Sequence, residues 1–133
     1  MNPELKRAAE LAADYLDSLD QQKVSEEPDP QAVRNRLHKE LTAEGLPPLQ
    51  VIEELAEDAR DGLLNTANGR FFGWVIGGGV PVSIAADWLT SAWDQNAAAY
   101  ACSPAAAVIE DVVAEWLKEI LGLPQQASYA FVT

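Results

Sequence analysis

A chain of 133 residues, 48% of them apolar, is about one domain's worth of sequence and can bury a core, which excludes wholesale disorder. The formal net charge of -12 argues against nucleic acid or an anionic membrane surface as the main partner. A single cysteine, Cys102, excludes an intrachain disulfide and fits a reducing, cytoplasmic setting.

The opening Met1-Asn2-Pro3-Glu4-Leu5-Lys6 has no apolar signal-peptide core. Asn2 as cap and Pro3 at the first helical position predict a helix running to about Gln22, with Leu5, Ala8, Ala9, Ala12, Leu16 and Leu19 at helical spacing. Residues 23 to 30 read as a linker carrying Pro28 and Pro30. Asp29-Pro30 repeats the cap-then-proline signal and predicts a short second helix to about Leu41, broken by Gly45-Leu46-Pro47-Pro48. A third helix is expected from Pro48 to Leu64, with Val51, Ile52, Leu55, Ala56 and Leu63 as its apolar positions. Asn68-Gly69 is a turn signal, and Phe71 to Ile76 reads as extended or irregular.

From Phe71 to Ala86 the chain is uncharged for 16 residues that include four glycines and one proline. A membrane-spanning helix needs about 20 apolar residues, so the run is expected to be buried in protein. Charge is uneven: residues 1 to 70 hold 15 of the 21 Asp and Glu, and beyond residue 70 only Lys118 is basic. Such a weakly charged second half suits a buried or interface-forming region. Pro81 opens a fourth helix to about Asn96, whose buried face would be Ile84, Ala85, Trp88, Leu89, Ala92 and Trp93. Ser103-Pro104 opens a fifth, with Ile109, Val112, Val113, Trp116, Leu117 and Ile120 on its apolar face and Gly122 at its end. Ser128 to Val132 alternates and predicts a strand, which has no sheet to join within this sequence. The fold class expected from the residues is mostly α: about five helices and one C-terminal strand.

No residue set makes a catalytic or metal site by itself. His38, the only histidine, stands among Arg34, Arg36 and Lys39, as a solvated surface group would. Cys102, with no histidine near it in sequence, reads as a small buried residue. Glu53, Glu54, Glu57, Asp58 and Asp61 lack the spacing of a calcium loop and read as a solvated acidic helix face. Gly77-Gly78-Gly79 fits neither glycine-rich phosphate-loop pattern, and Pro81 lacks an amide for an anion, so close backbone packing or a small-ligand contact is expected. Trp88, Trp93 and Trp116 sit at helical spacing as core or interface residues, whereas Trp74, on the irregular segment, can point into a cleft.

In order, Arg70-Phe71-Phe72-Gly73-Trp74-Val75-Ile76-Gly77-Gly78, the helix around Ala85 to Asn96, Ser103-Pro104-Ala105 and Leu121-Gly122-Leu123-Pro124 resemble the pyridoxal-phosphate-dependent decarboxylases of the aromatic-amino-acid and glutamate group. Ala13-Asp14-Tyr15-Leu16 and Val24 resemble, more loosely, the N-terminal arm of that family. The resemblance implies an N-terminal helical arm over residues 1–69 that packs across a homodimer. It implies that residues 70–133 form the substrate-side segment and the start of the large domain of an α/β fold-type I enzyme. By the same resemblance, Phe72, Trp74, Val75, Ile76 and Gly77 line the substrate pocket, although Gly77 lacks the hydroxyl that some members place there. Asn96 and Ala98 would reach the pocket of the neighbouring subunit, and Asn68-Gly69 replaces a usual residue-Pro pair. The implied cofactor is pyridoxal 5'-phosphate, the implied substrate an amino acid. The phosphate loop, the stacking His, the Asp for the pyridine nitrogen and the Schiff-base Lys would follow Thr133. The chain alone is therefore expected to be an inactive portion of a carboxy-lyase, with no catalytic, cofactor-binding or metal residue of its own. The alternative reading is a small helical dimerisation or interaction protein that binds through Phe71, Phe72, Trp74 and their apolar neighbours.

Overall fold

Proline at the first helical position fixes φ and lacks an amide that would go unbonded there. Each of the five α-helices among the described residues opens on one. In the computed structural model, which describes residues 2–24, 28–76 and 78–132, these are α1 (Pro3–Ser18), α2 (Pro30–Leu37), α3 (Pro48–Ala59), α4 (Pro81–Trp93) and α5 (Pro104–Ile120). Three expected caps are in place. Asn2 Oδ1 accepts from the amides of Glu4 (3.0 Å) and Leu5 (3.2 Å), Asp29 Oδ1 from Gln31 (2.9 Å), and Ser103 Oγ from Ala106 (3.3 Å). At α4 the Ser83 hydroxyl donates to the Val80 carbonyl at 2.8 Å.

Three helix ends depart from the sequence expectation. Helix α2 stops at Leu37, not near Leu41, with the His38 amide on the Arg34 carbonyl at 2.8 Å. Helix α3 gives way at Arg60–Gly62 to a 3-10 turn, and α4 stops at Trp93 because Asp94 turns left-handed at φ 46. Helix α5 ends as Gly122 predicts: at φ 65, its amide bonds Glu119 O at 3.2 Å and the Leu123 amide bonds Lys118 O at 2.8 Å.

The chain divides into two compact units, Met1–Gly79 and Val80–Thr133. In the first, α1 and α2 both pack on α3. Gly62 comes so close to α2 that a Cβ there would lie 2.9 Å from Val33 Cγ1. The acidic face of α3 is not merely solvated, because cations from both neighbours reach it. Arg7 Nε of α1 meets Glu53 Oε1 at 3.0 Å. Arg36 of α2 pairs with Asp61 and with Glu57 (3.7 Å), and also bonds the Glu57 carbonyl at 3.2 Å. Lys39 Nζ lies 2.7 Å from Asp58 Oδ2. Hydrogen bonds to Glu10 and then to Glu53 hold the Arg7 guanidinium above its ordinary pKa, and one to Asp58 does the same for the Lys39 ammonium. Arg36 ties α2 to α3 at three points, so Arg36→Ala should lower the urea stability of the first unit by about 1 kcal/mol at low salt. Chloride should shrink that difference by screening the pairs, and an effect unchanged at high salt would show that charge is not its cause.

In the second unit α4 and α5 do not pack on each other. The segment after α5 folds back along it. Lys118 Nζ donates to Gln125 O at 3.0 Å and lies 5.9 Å from the Tyr129 ring centroid, and the Tyr129 hydroxyl donates to Asp111. That bond favours the protonated phenol and raises the Tyr129 pKa. The strand expected over Ser128–Val132 is not formed, and no strand occurs among the described residues. An alternating sequence becomes a strand only beside a second segment that completes the ladder. Here Tyr129 and Phe131 instead stack tilted on each other, with ring centroids 5.8 Å apart.

The apolar faces of α4 and α5, expected to be buried, are largely open. Trp88, Leu89, Trp93, Ile109, Trp116 and Ile120 are exposed, and Ala114 is the one buried apolar residue among the described residues. Cys102 is likewise exposed, since it lies in the turn before α5 and not in a core. Among the described residues no helix is long and apolar enough to cross a membrane.

Candidate functional site

An α-helix leaves its last carbonyls without intrahelical partners. The last turn of α1 has no basic residue to answer them. The loop after α3 supplies what is missing. Asn65 Nδ2 donates to Leu19 O at 3.0 Å, and Asn68 Nδ2 donates to the same carbonyl. Arg70 Nη2 donates to Asp20 O and Gln22 O, both at 2.9 Å. Asn68 Oδ1 in turn accepts from the Arg70 amide at 2.8 Å and from Arg70 Nε at 3.3 Å. Asn65 and Asn68 are 2% and 4% exposed, and Asn65 Oδ1 is buried without a partner. A guanidinium at a helix C-terminus is also favoured by the helix dipole.

This clamp ends where the aromatic segment begins. The Phe71 amide bonds Asn68 O at 2.9 Å, and the Phe71 ring lies over Gly73, where a Cβ would come within 3.1 Å of Phe71 Cζ. Trp74 (φ 62) and Val75 (φ 54) are then both left-handed. That conformation costs about 1–2 kcal/mol per non-glycine residue and is a marked outlier for a β-branched side chain. The turn throws its side chains outward: Phe72 is 93%, Trp74 81% and Val75 105% exposed, with Ile76 half as open at 48%.

The structure thus brings four of the expected pocket residues, Phe72, Trp74, Val75 and Ile76, onto one projecting turn of the first unit. Gly77 lies outside the described residues. Asn96 and Ala98 belong to the second unit, where Asn96 Oδ1 accepts from the Ala98 amide at 3.0 Å in a local exposed turn. The sequence reading took Asn68 as a turn former only and passed over Asn65 and Arg70. The one signal available was the density of amide and guanidinium side chains in Asn65-Thr66-Ala67-Asn68-Gly69-Arg70, directly after an apolar helix.

A Schiff-base lysine works as a desolvated amine of lowered pKa. None of the four lysines of the sequence suits that role. Lys6 is exposed beside Glu10, Lys39 is held charged by Asp58, and Lys118 is spent on Gln125 O and Tyr129. Lys23 borders a cavity of about 800 Å³ between α1 and α3, and it has a partner of its own. His38 is exposed at the end of α2, remote from any stacking surface among the described residues. The residues of this chain do not fit pyridoxal phosphate, and no catalytic step is assigned to them.

Residues 30–130 match the pyridoxal-dependent decarboxylase conserved domain, a family whose cofactor is pyridoxal phosphate. The chain is also similar to an aromatic-L-amino-acid decarboxylase of Bacillus atrophaeus, with 28% identity over 127 residues. That alignment covers 96% of this chain and 26% of the relative, so the chain spans about a quarter of the relative's length. No solved structure matches it. With the conserved domain matched over residues 30–130, most of its length, the chain belongs to the pyridoxal-dependent decarboxylase family.

Proposed function

We propose that this chain supplies the N-terminal arm and the substrate-side wall of a pyridoxal-phosphate-dependent amino-acid decarboxylase, and that it has no carboxy-lyase activity alone. In this reading, residues 1–69 form the arm that packs across a homodimer. Residues 70–133 carry the substrate side and open the large domain of a fold-type I enzyme, with Ser128–Val132 joining its sheet. Phe72, Trp74, Val75, Ile76 and Gly77 would line the substrate pocket, and Asn96 and Ala98 would reach the pocket of the neighbouring subunit. The setting is cytoplasmic and the substrate an amino acid that loses its α-carboxylate as carbon dioxide.

The observation that carries this reading is the projecting turn at Phe72–Ile76. It offers open apolar and aromatic surface on a left-handed backbone, at the positions that the family resemblance gives to the substrate pocket. In the proposed role these side chains grip and orient the substrate's apolar part and exclude water from it. Inactivity of the chain alone is supported by its lysines, each exposed, paired or otherwise engaged.

A second reading is favoured by the open faces of α4 and α5: a small helical protein that dimerises or binds a full-length relative. Incubating the purified chain with pyridoxal phosphate separates enzyme from enzyme portion. No protein-bound cofactor absorbance is expected after gel filtration. A band that survives gel filtration and is trapped by borohydride on a lysine would refute the inactivity.

A further inference from the structure

The clamp and the strained turn are contiguous in sequence, and only Phe71 and its neighbours separate them. Arg70 is the residue that belongs to both. Its side chain bridges two carbonyls of the 3-10 turn that follows α1 (Leu19–Gln21, capped by Gln22), and its backbone amide is fixed by Asn68 Oδ1. Those carbonyls lie 48 and 50 residues earlier in the chain. Trp74 and Val75 are left-handed although neither is glycine, and both side chains are largely in solvent. Among the described residues the segment is anchored at the Arg70 end.

We propose that Arg70 is a positioning residue: by spanning Asp20 O and Gln22 O it sets where the Phe72–Ile76 turn stands relative to the end of α1. Arg70 touches no reacting group in this arrangement. It acts through the backbone of the next residues, and Asn68 holds its guanidinium and amide in one orientation. A lysine keeps the charge but has no second nitrogen to meet Asn68 Oδ1 as Arg70 Nε does while the terminal nitrogen bonds the two carbonyls. That the turn so placed meets substrate rests on the function proposed above. The placement itself does not.

The test is NMR on the 133-residue chain, read at the backbone amides of Phe71 to Val75. Arg70→Lys should shift those resonances and speed hydrogen exchange of the Phe71 amide, which bonds Asn68 O. Arg36→Ala, which loosens α2 on α3 away from the clamp, should leave both unchanged. Arg70→Ala should exaggerate the lysine effect; should it fail to fold, Arg70→Lys still decides. Unmoved Phe71 to Val75 amides in Arg70→Lys, or an equal movement in Arg36→Ala, would overturn the proposal. Because no substrate or cofactor enters the measurement, it can succeed where the decarboxylase reading fails, and the reverse.

Discussion

Replacing Asn68 by alanine is expected to cost the first unit about 2–3 kcal/mol, more than any other single side chain of the loop after α3. Asn68 is 4% exposed and works in both directions, donating to Leu19 O and accepting from the amide and Nε of Arg70. Alanine would leave the Arg70 amide without its acceptor and take one of three donors from Leu19 O, which also accepts from Asn65 and from the Gln22 amide. Asn65→Ala makes an informative comparison. Asn65 also donates to Leu19 O, but its Oδ1 is buried with no partner, so alanine removes an unsatisfied acceptor together with the donor. Its cost should be about 1 kcal/mol or less. Urea titration of both variants, followed by helix circular dichroism, gives the order. Equal losses, or a larger loss for Asn65→Ala, would mean that the two amides do not share the work as the hydrogen bonds indicate.

The 133-residue chain should also bind a hydrophobic dye strongly and associate as its concentration rises. Soluble monomers rarely expose contiguous apolar patches beyond a few hundred Å². Here Trp88, Leu89, Trp93, Ile109, Trp116 and Ile120 are open on α4 and α5, helices that do not pack on each other. Dye emission several-fold above that of an ordinary globular protein of equal size is expected. Sedimentation velocity should show a weight-average mass that climbs with loading. A monodisperse monomer that leaves the dye dark would contradict the exposed faces.

Local chemistry made the helix starts readable: Asn2-Pro3, Asp29-Pro30 and Ser103-Pro104 each combine a side-chain acceptor with a preset φ, and each opens a helix. Gly122 marked the end of α5 for the same kind of reason. The early stop of α2 at Leu37 was not readable, because propensity alone does not tell where tertiary support runs out. Periodicity identified the apolar stripes of α4 and α5 correctly as stripes. It carries no information about what covers them, so their exposure came as a difference. The alternation at Ser128–Val132 failed likewise, since a strand needs a partner that this sequence does not contain. The Asn65–Asn68–Arg70 clamp was hidden for another reason: it joins positions 46 to 50 residues apart through side chains with no repeat. The resemblance singles out 72–76 as a pocket segment, and the backbone adds what the resemblance lacked, a left-handed turn at Trp74 and Val75 and the anchor before it.

The central claim, that this chain is the substrate-side portion of a decarboxylase and not a whole one, is tested most directly by carbon dioxide release from aromatic L-amino acids in the presence of pyridoxal phosphate. The 133-residue chain would be assayed beside the same chain continued with the remaining sequence of the Bacillus atrophaeus relative. The account predicts release from the continued protein and none from the 133 residues. Release by the 133-residue chain alone, or a continued protein that releases none from any amino acid, would contradict it.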